Sequence, residues 1–113
     1  MKSLAVVILN YNGIKLIEKF LPSVIKFTPN KYNIYIIDNG STDGSVEFIK
    51  SNFKRINVLE LYKNYGYAKG YNIGLKKIND DILCLLNNDI EVTEKWTEEI
   101  MIQFKNEKET VVI

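Results

Sequence analysis

The stretch Ile82-Leu83-Cys84-Leu85-Leu86-Asn87-Asn88-Asp89 decides the fold. Five apolar residues without interruption read as a strand buried on both faces, as in parallel sheets covered by helices. The run ends in two amides and a carboxylate, and the carboxyl ends of such strands are where open α/β sheets take their ligands. The same junction recurs twice toward the amino terminus. Leu4 to Leu9 is followed by Asn10-Tyr11-Asn12-Gly13, and Ile34 to Ile37 by Asp38-Asn39-Gly40-Ser41-Thr42-Asp43. Three apolar runs, each closing on polar residues, indicate one ligand-binding rim. A stray acidic turn would account for only one of them.

Helical periodicity fills the gaps. Gly13 to about Phe27 puts Ile14, Ile17, Leu21 and Val24 on one face, with Asn12 as its expected cap and Pro22 expected to kink or divide it. Tyr32 to Asp38 reads as a second strand, Asp43 to Phe53 as a helix with Val46, Ile49 and Phe53 inward, and Ile56 to Leu61 as a third strand. Tyr67 to Asn79 carries Ala68, Tyr71, Leu75 and Ile78 on one stripe. After the Ile82–Leu86 strand, Thr93 is the expected cap of a helix bearing Trp96, Ile100 and Phe104. The βαβαβαβα order predicts an α/β fold with a mainly parallel sheet of about four to five strands flanked by helices. Thr110-Val111-Val112-Ile113 looks like the opening of a fifth strand, so residues 1–113 are expected to be the first part of a larger domain. The fourth strand is then expected to have an open edge, which invites self-association.

Composition narrows the chemistry. Lys+Arg 15 against Asp+Glu 14 leaves a formal net charge of +1, which argues against a general nucleic-acid or membrane-binding surface. The single cysteine, Cys84, sits inside an apolar run as a small hydrophobe, and no intrachain disulfide can form. There is no histidine, so the chain supplies no His base, no Ser-His-Asp triad and no imidazole ligand. Any metal must therefore be of the oxygen-liganded kind, magnesium or manganese. The amino-terminal apolar run is too short for a signal peptide or a membrane span. A cytoplasmic location is the default expectation, with membrane association through other segments left open.

Several nucleotide-binding folds fail on their motifs. A dinucleotide site needs Gly-x-Gly-x-x-Gly after the first strand, where this chain has Asn10-Tyr11-Asn12-Gly13. The lysine loop of P-loop enzymes is missing as well. A phosphoacceptor receiver domain would need acids where Asn10 and Tyr11 stand.

The segments Val6-Val7-Ile8-Leu9-Asn10-Tyr11-Asn12-Gly13, Ile36-Ile37-Asp38-Asn39-Gly40-Ser41-Thr42-Asp43-Gly44-Ser45, Asn64-Tyr65-Gly66-Tyr67-Ala68-Lys69-Gly70-Tyr71-Asn72-Ile73-Gly74 and Leu85-Leu86-Asn87-Asn88-Asp89 remain to be explained. In this order and spacing they resemble glycosyltransferase family 2, inverting transferases of the GT-A fold, and look most like its rhamnosyltransferase-like branch. The resemblance implies a Rossmann-like GT-A half-domain, the nucleotide-sugar-binding amino-terminal part of the enzyme. It implies a UDP- or dTDP-linked sugar donor, an acceptor that is a saccharide or lipid-linked glycan, a divalent cation, and a role in polysaccharide biosynthesis. Asn10 and Tyr11 would line the nucleotide, with Tyr11 stacking on the base. Asp38 and Asn39 would hold the uracil or thymine edge. Many relatives carry two acids there, so which of the two touches the base stays open. Lys69 would meet a phosphate, Asn88 would lie near the ribose, and Asp89 would bind the cation. The usual first acid of the Asp-x-Asp motif is Asn87 here, which implies weak metal affinity without nucleotide. The catalytic base is expected beyond Ile113, so residues 1–113 alone are expected not to turn over. The contrasting expectation is a non-catalytic α/β module that binds nucleotide or a partner.

Overall fold

The computed structural model of the chain describes residues 2–104 and 109–112. The elements are β1 (Leu4–Asn10), α1 (Ile14–Phe27), β2 (Asn33–Asp38), α2 (Ser45–Asn52), β3 (Asn57–Glu60), α3 (Tyr67–Leu75), β4 (Ile82–Leu85), α4 (Trp96–Gln103) and β5 (Glu109–Val112). The five strands form one sheet in the order β3-β2-β1-β4-β5, and every pairing is parallel. This is the predicted α/β architecture.

The apolar runs are continuous because both faces of the central strands are covered. Val6, Ile8, Ile34 and Ile36 pack against Ile17, Leu21 and Val24 of α1 and Ile49 of α2. The alternate residues Ala5, Val7, Ile37, Leu83 and Leu85 pack with Tyr71 of α3 and with Ile78. Leu4, Ile82 and Cys84 meet Ile100 of α4. Burial pushes the Cys84 thiol up to about 12, as expected of a cysteine serving as a hydrophobe. Each fully buried branched side chain contributes about 1.5–3 kcal/mol. A one-residue slip of β1 would exchange its two buried faces.

Several expected details differ. Pro22 lies inside α1, yet the helix runs undivided from Ile14 to Phe27. Its ring is on the exposed side, away from the buried residues Ile17, Leu21 and Val24. Asn12 does not cap α1: its backbone is left-handed at φ 49°, and its Oδ1 accepts the Thr42 N–H at 2.7 Å. Thr93 does not cap α4: the N-cap position is Lys95, no side chain caps the helix, and Thr93 offers only its carbonyl to the Trp96 N–H at 3.4 Å. On α3 the inward residues are Gly70, Tyr71 and Gly74, while Ala68 is exposed. A Cβ on Gly74 would overlap the Ile37 side chain, so α3 rests on β2 through a glycine.

The fourth strand is not an edge. β5 pairs along it from Ile82↔Glu109 to Leu85↔Val112, which removes the reason for expecting association through β4. Ile113, the last residue of the expected fifth strand, lies outside the described residues.

Candidate functional site

The strand order reverses direction at β1. The chain runs outward from β1 through β2 to β3, then returns to place β4 on the other side of β1. Ligands of open α/β sheets bind outside the carboxyl ends of the strands at such a reversal. The pairing shows the opening. β1 stays in register with β2 as far as Asn10↔Asp38, but with β4 only as far as Val7↔Leu85. Past that point the Leu9 N–H has no strand partner and donates to the Tyr71 hydroxyl of α3 at 3.2 Å. Burial raises the Tyr71 phenol above its ordinary range, so it stays protonated while it accepts this bond.

The wall after β2 is a buried polar network. Asp38 closes β2, and its Oδ1 accepts from Asn10 Nδ2 at 3.0 Å and from the Ser41 hydroxyl at 2.7 Å. Its Oδ2 accepts the Ser41 N–H at 2.9 Å. Ser41 Oγ also accepts the Asn12 N–H at 2.9 Å, which ties the loop after β2 to the loop after β1. Asn39 turns the other way: its Nδ2 donates to the Gly66 carbonyl at 2.9 Å, and its Oδ1 accepts the Tyr65 N–H at 3.1 Å. A Cβ on Gly70 would stand 2.8 Å from Asn39 Nδ2, so α3 begins directly over this amide. Lys69 is therefore next to the Asn39 wall. It is exposed, with its ammonium 5.3 Å from the centre of the Tyr65 ring.

On the opposite lip stand Asn88 and Asp89, in the turn after β4. Asn88 approaches β1 over Gly13: a Cβ at Gly13 would be 2.7 Å from Asn88 Nδ2 and 2.6 Å from Asn10 Oδ1. Asp89 is exposed, and no hydrogen bond or ion pair engages its carboxylate among the described residues. Tyr11, 49% exposed, follows the last residue of β1 and offers a free aromatic face at the crevice. Of the predicted residues, Asn10, Asp38 and Asn39 are joined in one wall, Asn88 faces Asn10 across Gly13 from the other lip, and Tyr11, Lys69 and Asp89 are exposed.

Ser41, Asn12 and Gly13 were not singled out as site residues, yet they join the walls. The signal for Ser41 was its place three residues after Asp38, the spacing of a local side-chain-to-backbone turn. An open groove of about 580 Å³ lies elsewhere, between residues 90–96 and α4.

A divalent cation is tested by its ligands. Among the described residues no group of three or more His, Cys, Asp or Glu side chains could hold a metal. The free Asp89 carboxylate does fit a magnesium-type ion, which is commonly held by one or two carboxylates and the phosphates of its substrate. No helix among the described residues is long and apolar enough to cross a membrane.

The fold and rim define a GT-A-type α/β domain. The family model described as Glycosyl transferase family 2 matches residues 5–113, and the chain belongs to that family. It is similar to the teichoic acid poly(glycerol phosphate) polymerase of Staphylococcus epidermidis, with 30% identity over 96 residues, 81% of this chain and 13% of that protein. It is similar also to glycosyltransferase GlyG of Streptococcus pneumoniae, with 26% identity over 113 residues, 97% of this chain and 38% of that protein. Among solved structures, S. aureus TarS 1-349 in complex with UDP-GlcNAc superposes with TM-score 0.78 at 21% identity, over 88% of this chain and 30% of that one. Mannosyltransferase PcManGT from Pyrobaculum calidifontis, in complex with GDP-Man and Mn2+, superposes with TM-score 0.75 at 20% identity, over 91% of this chain and 32% of that one. At these identities the structural likeness carries the fold. The chain spans between 13% and 38% of the length of these two curated relatives.

Proposed function

We propose that this chain is the donor-nucleotide part of an inverting glycosyltransferase that takes a sugar from a UDP- or dTDP-linked donor. The acceptor in this reading is a saccharide or lipid-linked glycan. The observation that carries it is the crevice at the β1/β4 reversal, with a polar base-side wall and one unpartnered carboxylate, Asp89, on the far lip. Support also comes from the relatives, since TarS holds UDP-GlcNAc and PcManGT holds GDP-Man with Mn2+.

Tyr11 stacks on the nucleobase, an interaction worth roughly 1–3 kcal/mol. Asp38 takes the ring N–H of uracil or thymine, because its Oδ2 accepts only one hydrogen bond and a carboxylate oxygen has room for two. Asn39 acts indirectly, since both ends of its amide hold the Tyr65–Gly66 backbone. Asn88 faces the ribose, and Lys69 draws the diphosphate toward the rim. A magnesium or manganese ion held by Asp89 and the diphosphate would neutralise charge on the departing nucleoside diphosphate. The acceptor hydroxyl attacks the anomeric carbon from the face opposite the leaving group, and a carboxylate removes its proton. The resemblance to glycosyltransferase family 2 implies that this base lies in a later part of the domain. Residues 1–113 alone then bind donor without turning it over, and turnover on a defined acceptor would refute this.

The direct test is calorimetric titration with UDP and dTDP, with and without manganese, using CDP, GDP and ADP as controls. Tighter, metal-dependent binding of UDP or dTDP is expected. A preference for GDP would move the donor class, and no binding at all would favour a non-catalytic module.

A further inference from the structure

Gly13 has φ −108° and ψ 34°, a conformation any L-residue can adopt, so backbone freedom does not require glycine there. Space does. The residue is buried, and a Cβ would stand 2.6 Å from Asn10 Oδ1 and 2.7 Å from Asn88 Nδ2. Two amides from opposite lips of the crevice close over one glycine.

The Asn10 amide is unevenly satisfied. Asn10 is wholly buried at the end of the central strand. Its Nδ2 donates to Asp38 Oδ1 at 3.0 Å and to Ser41 Oγ at 3.3 Å. Its Oδ1 has no partner. The two acceptors on the Nδ2 side fix the orientation of the amide, because a flipped Asn10 would set oxygen against the Asp38 carboxylate. Oδ1 is therefore directed to the Gly13 side, where Asn88 Nδ2 is the neighbouring side-chain donor. A buried acceptor without a donor carries a desolvation cost that one hydrogen bond removes.

We propose that Asn10 is a positioning residue for the Asn88-Asp89 turn: when donor binds, its Oδ1 accepts the Asn88 Nδ2–H across Gly13. The inference rests on the donor-site reading above. One buried side chain then connects Asp38, on the base side, to Asn88, on the diphosphate side. Asn88 Oδ1 is left to accept a ribose hydroxyl, and Asp89, the next residue, is held where the diphosphate and its cation arrive. Recognition of the base and placement of the metal carboxylate become coupled, so the affinity gained from manganese depends on an amide that touches no metal.

The test is UDP titration with and without manganese on the wild-type chain, Gly13→Ala, Asn88→Ala and the double variant, each with a thermal unfolding curve. The readout is the ratio of the two affinities. Gly13→Ala sets a methyl 2.6 Å from Asn10 Oδ1 and 2.7 Å from Asn88 Nδ2 and wedges the two amides apart. It should cut the manganese-dependent gain about tenfold, and Asn88→Ala should do the same. The double variant should be no worse than the poorer single one, because both remove one contact. A purely structural role would lower stability and both affinities together and leave the ratio unchanged. Should Gly13→Ala fail to fold, Asn88→Ala on its half-exposed turn decides alone: an intact manganese gain overturns the proposal. Effects that multiply in the double variant overturn it as well. A wild-type chain that binds no nucleotide removes the donor-site reading itself, whereas one that binds with manganese while Gly13→Ala keeps the full gain removes only the inference.

Discussion

Asp43 Oδ2 accepts the backbone N–H of Ile14 at 3.0 Å, so the first turn of α1 is capped by a carboxylate 29 residues further along the chain. The other oxygen, Oδ1, accepts the Ser45 N–H at 3.0 Å and the Ser45 hydroxyl, at the start of α2. One carboxylate thereby joins the amino ends of two helices, where their unpaired N–H groups and dipoles favour negative charge. The loops that frame the crevice depend on it.

That arrangement gives stability a pH dependence. Partial burial pushes the Asp43 carboxyl up, but the hydrogen bonds from the Ser45 hydroxyl, the Ile14 amide and the Ser45 amide outweigh it, and the net direction is down from 3.8. A group whose pKa is lower folded than unfolded adds stability that is fully present above its unfolded value, about 3.9, and is lost as pH falls through the folded value. Asp43→Ala should cost about 1 kcal/mol near neutral pH, as for other capping residues. Urea unfolding across pH 7 to 3 checks the sign: the gap between wild type and variant should hold down to about pH 5 and shrink below about pH 4. A gap that widens on acidification would show that Asp43 does not act as a charged cap.

Asn39 is the latch for the loop before α3, and its amide can be broken one end at a time. Asn39→Ala leaves the Tyr65 N–H and the Gly66 carbonyl without their partner, at a cost of about 1–3 kcal/mol. Asn39→Asp keeps the acceptor for Tyr65 but sets a carboxylate against the Gly66 carbonyl. Both should speed hydrogen exchange at the Tyr65 amide, and Asn39→Asp should do so less. Unchanged exchange in both variants would show that the loop is held by other contacts.

Arg55 serves the opposite end of the sheet. Its Nη1 donates to the carbonyls of Ile25 and Thr28 at 3.0 and 2.7 Å, and its Nη2 to those of Pro29 and Tyr32 at 2.7 and 3.1 Å. Four carbonyls around the carboxyl end of α1 converge on one planar fork that an ammonium cannot reproduce. Arg55→Lys should lower the free energy of unfolding by about 1–3 kcal/mol with nucleotide affinity unchanged. A matching loss of UDP affinity would mean that the two ends of the sheet are coupled.

The parts of this architecture that sequence could show are those written in local periodicity. β1, β2 and β4 were legible because both faces are covered, so Leu4–Ile8 or Ile82–Leu85 need no polar alternation. The stripe on α3 misled for a physical reason: the helix approaches Ile37 so closely that Gly74 packs where a larger side chain was expected, and hydropathy does not register a glycine as core. Caps misled because the carboxylate that satisfies α1, Asp43, comes from the loop after the neighbouring strand β2; Asn12 had the right chemistry and the wrong partner. At the rim the residue types were readable, but their commitments were not. Which of Asp38 and Asn39 would meet a base stayed open in the sequence, which does not show that the Asn39 amide holds the Tyr65–Gly66 backbone.

Asp89 offers the sharpest separation of binding from folding. Its side chain is exposed and engages no partner among the described residues, so removing it should leave stability within about 0.5 kcal/mol of wild type. Asp89→Ala should abolish the gain in UDP affinity produced by manganese, a loss of at least about tenfold or ~1.4 kcal/mol, and leave metal-free affinity near its starting value. Asp89→Asn keeps the shape and one acceptor oxygen but loses the charge, and it should recover little, because one neutral oxygen holds a divalent cation poorly. Full recovery by Asn would assign the residue to a hydrogen bond with the ribose or phosphate. An unchanged manganese response in both variants would place the cation on other ligands and leave Asp89 as an ordinary residue of the turn after β4.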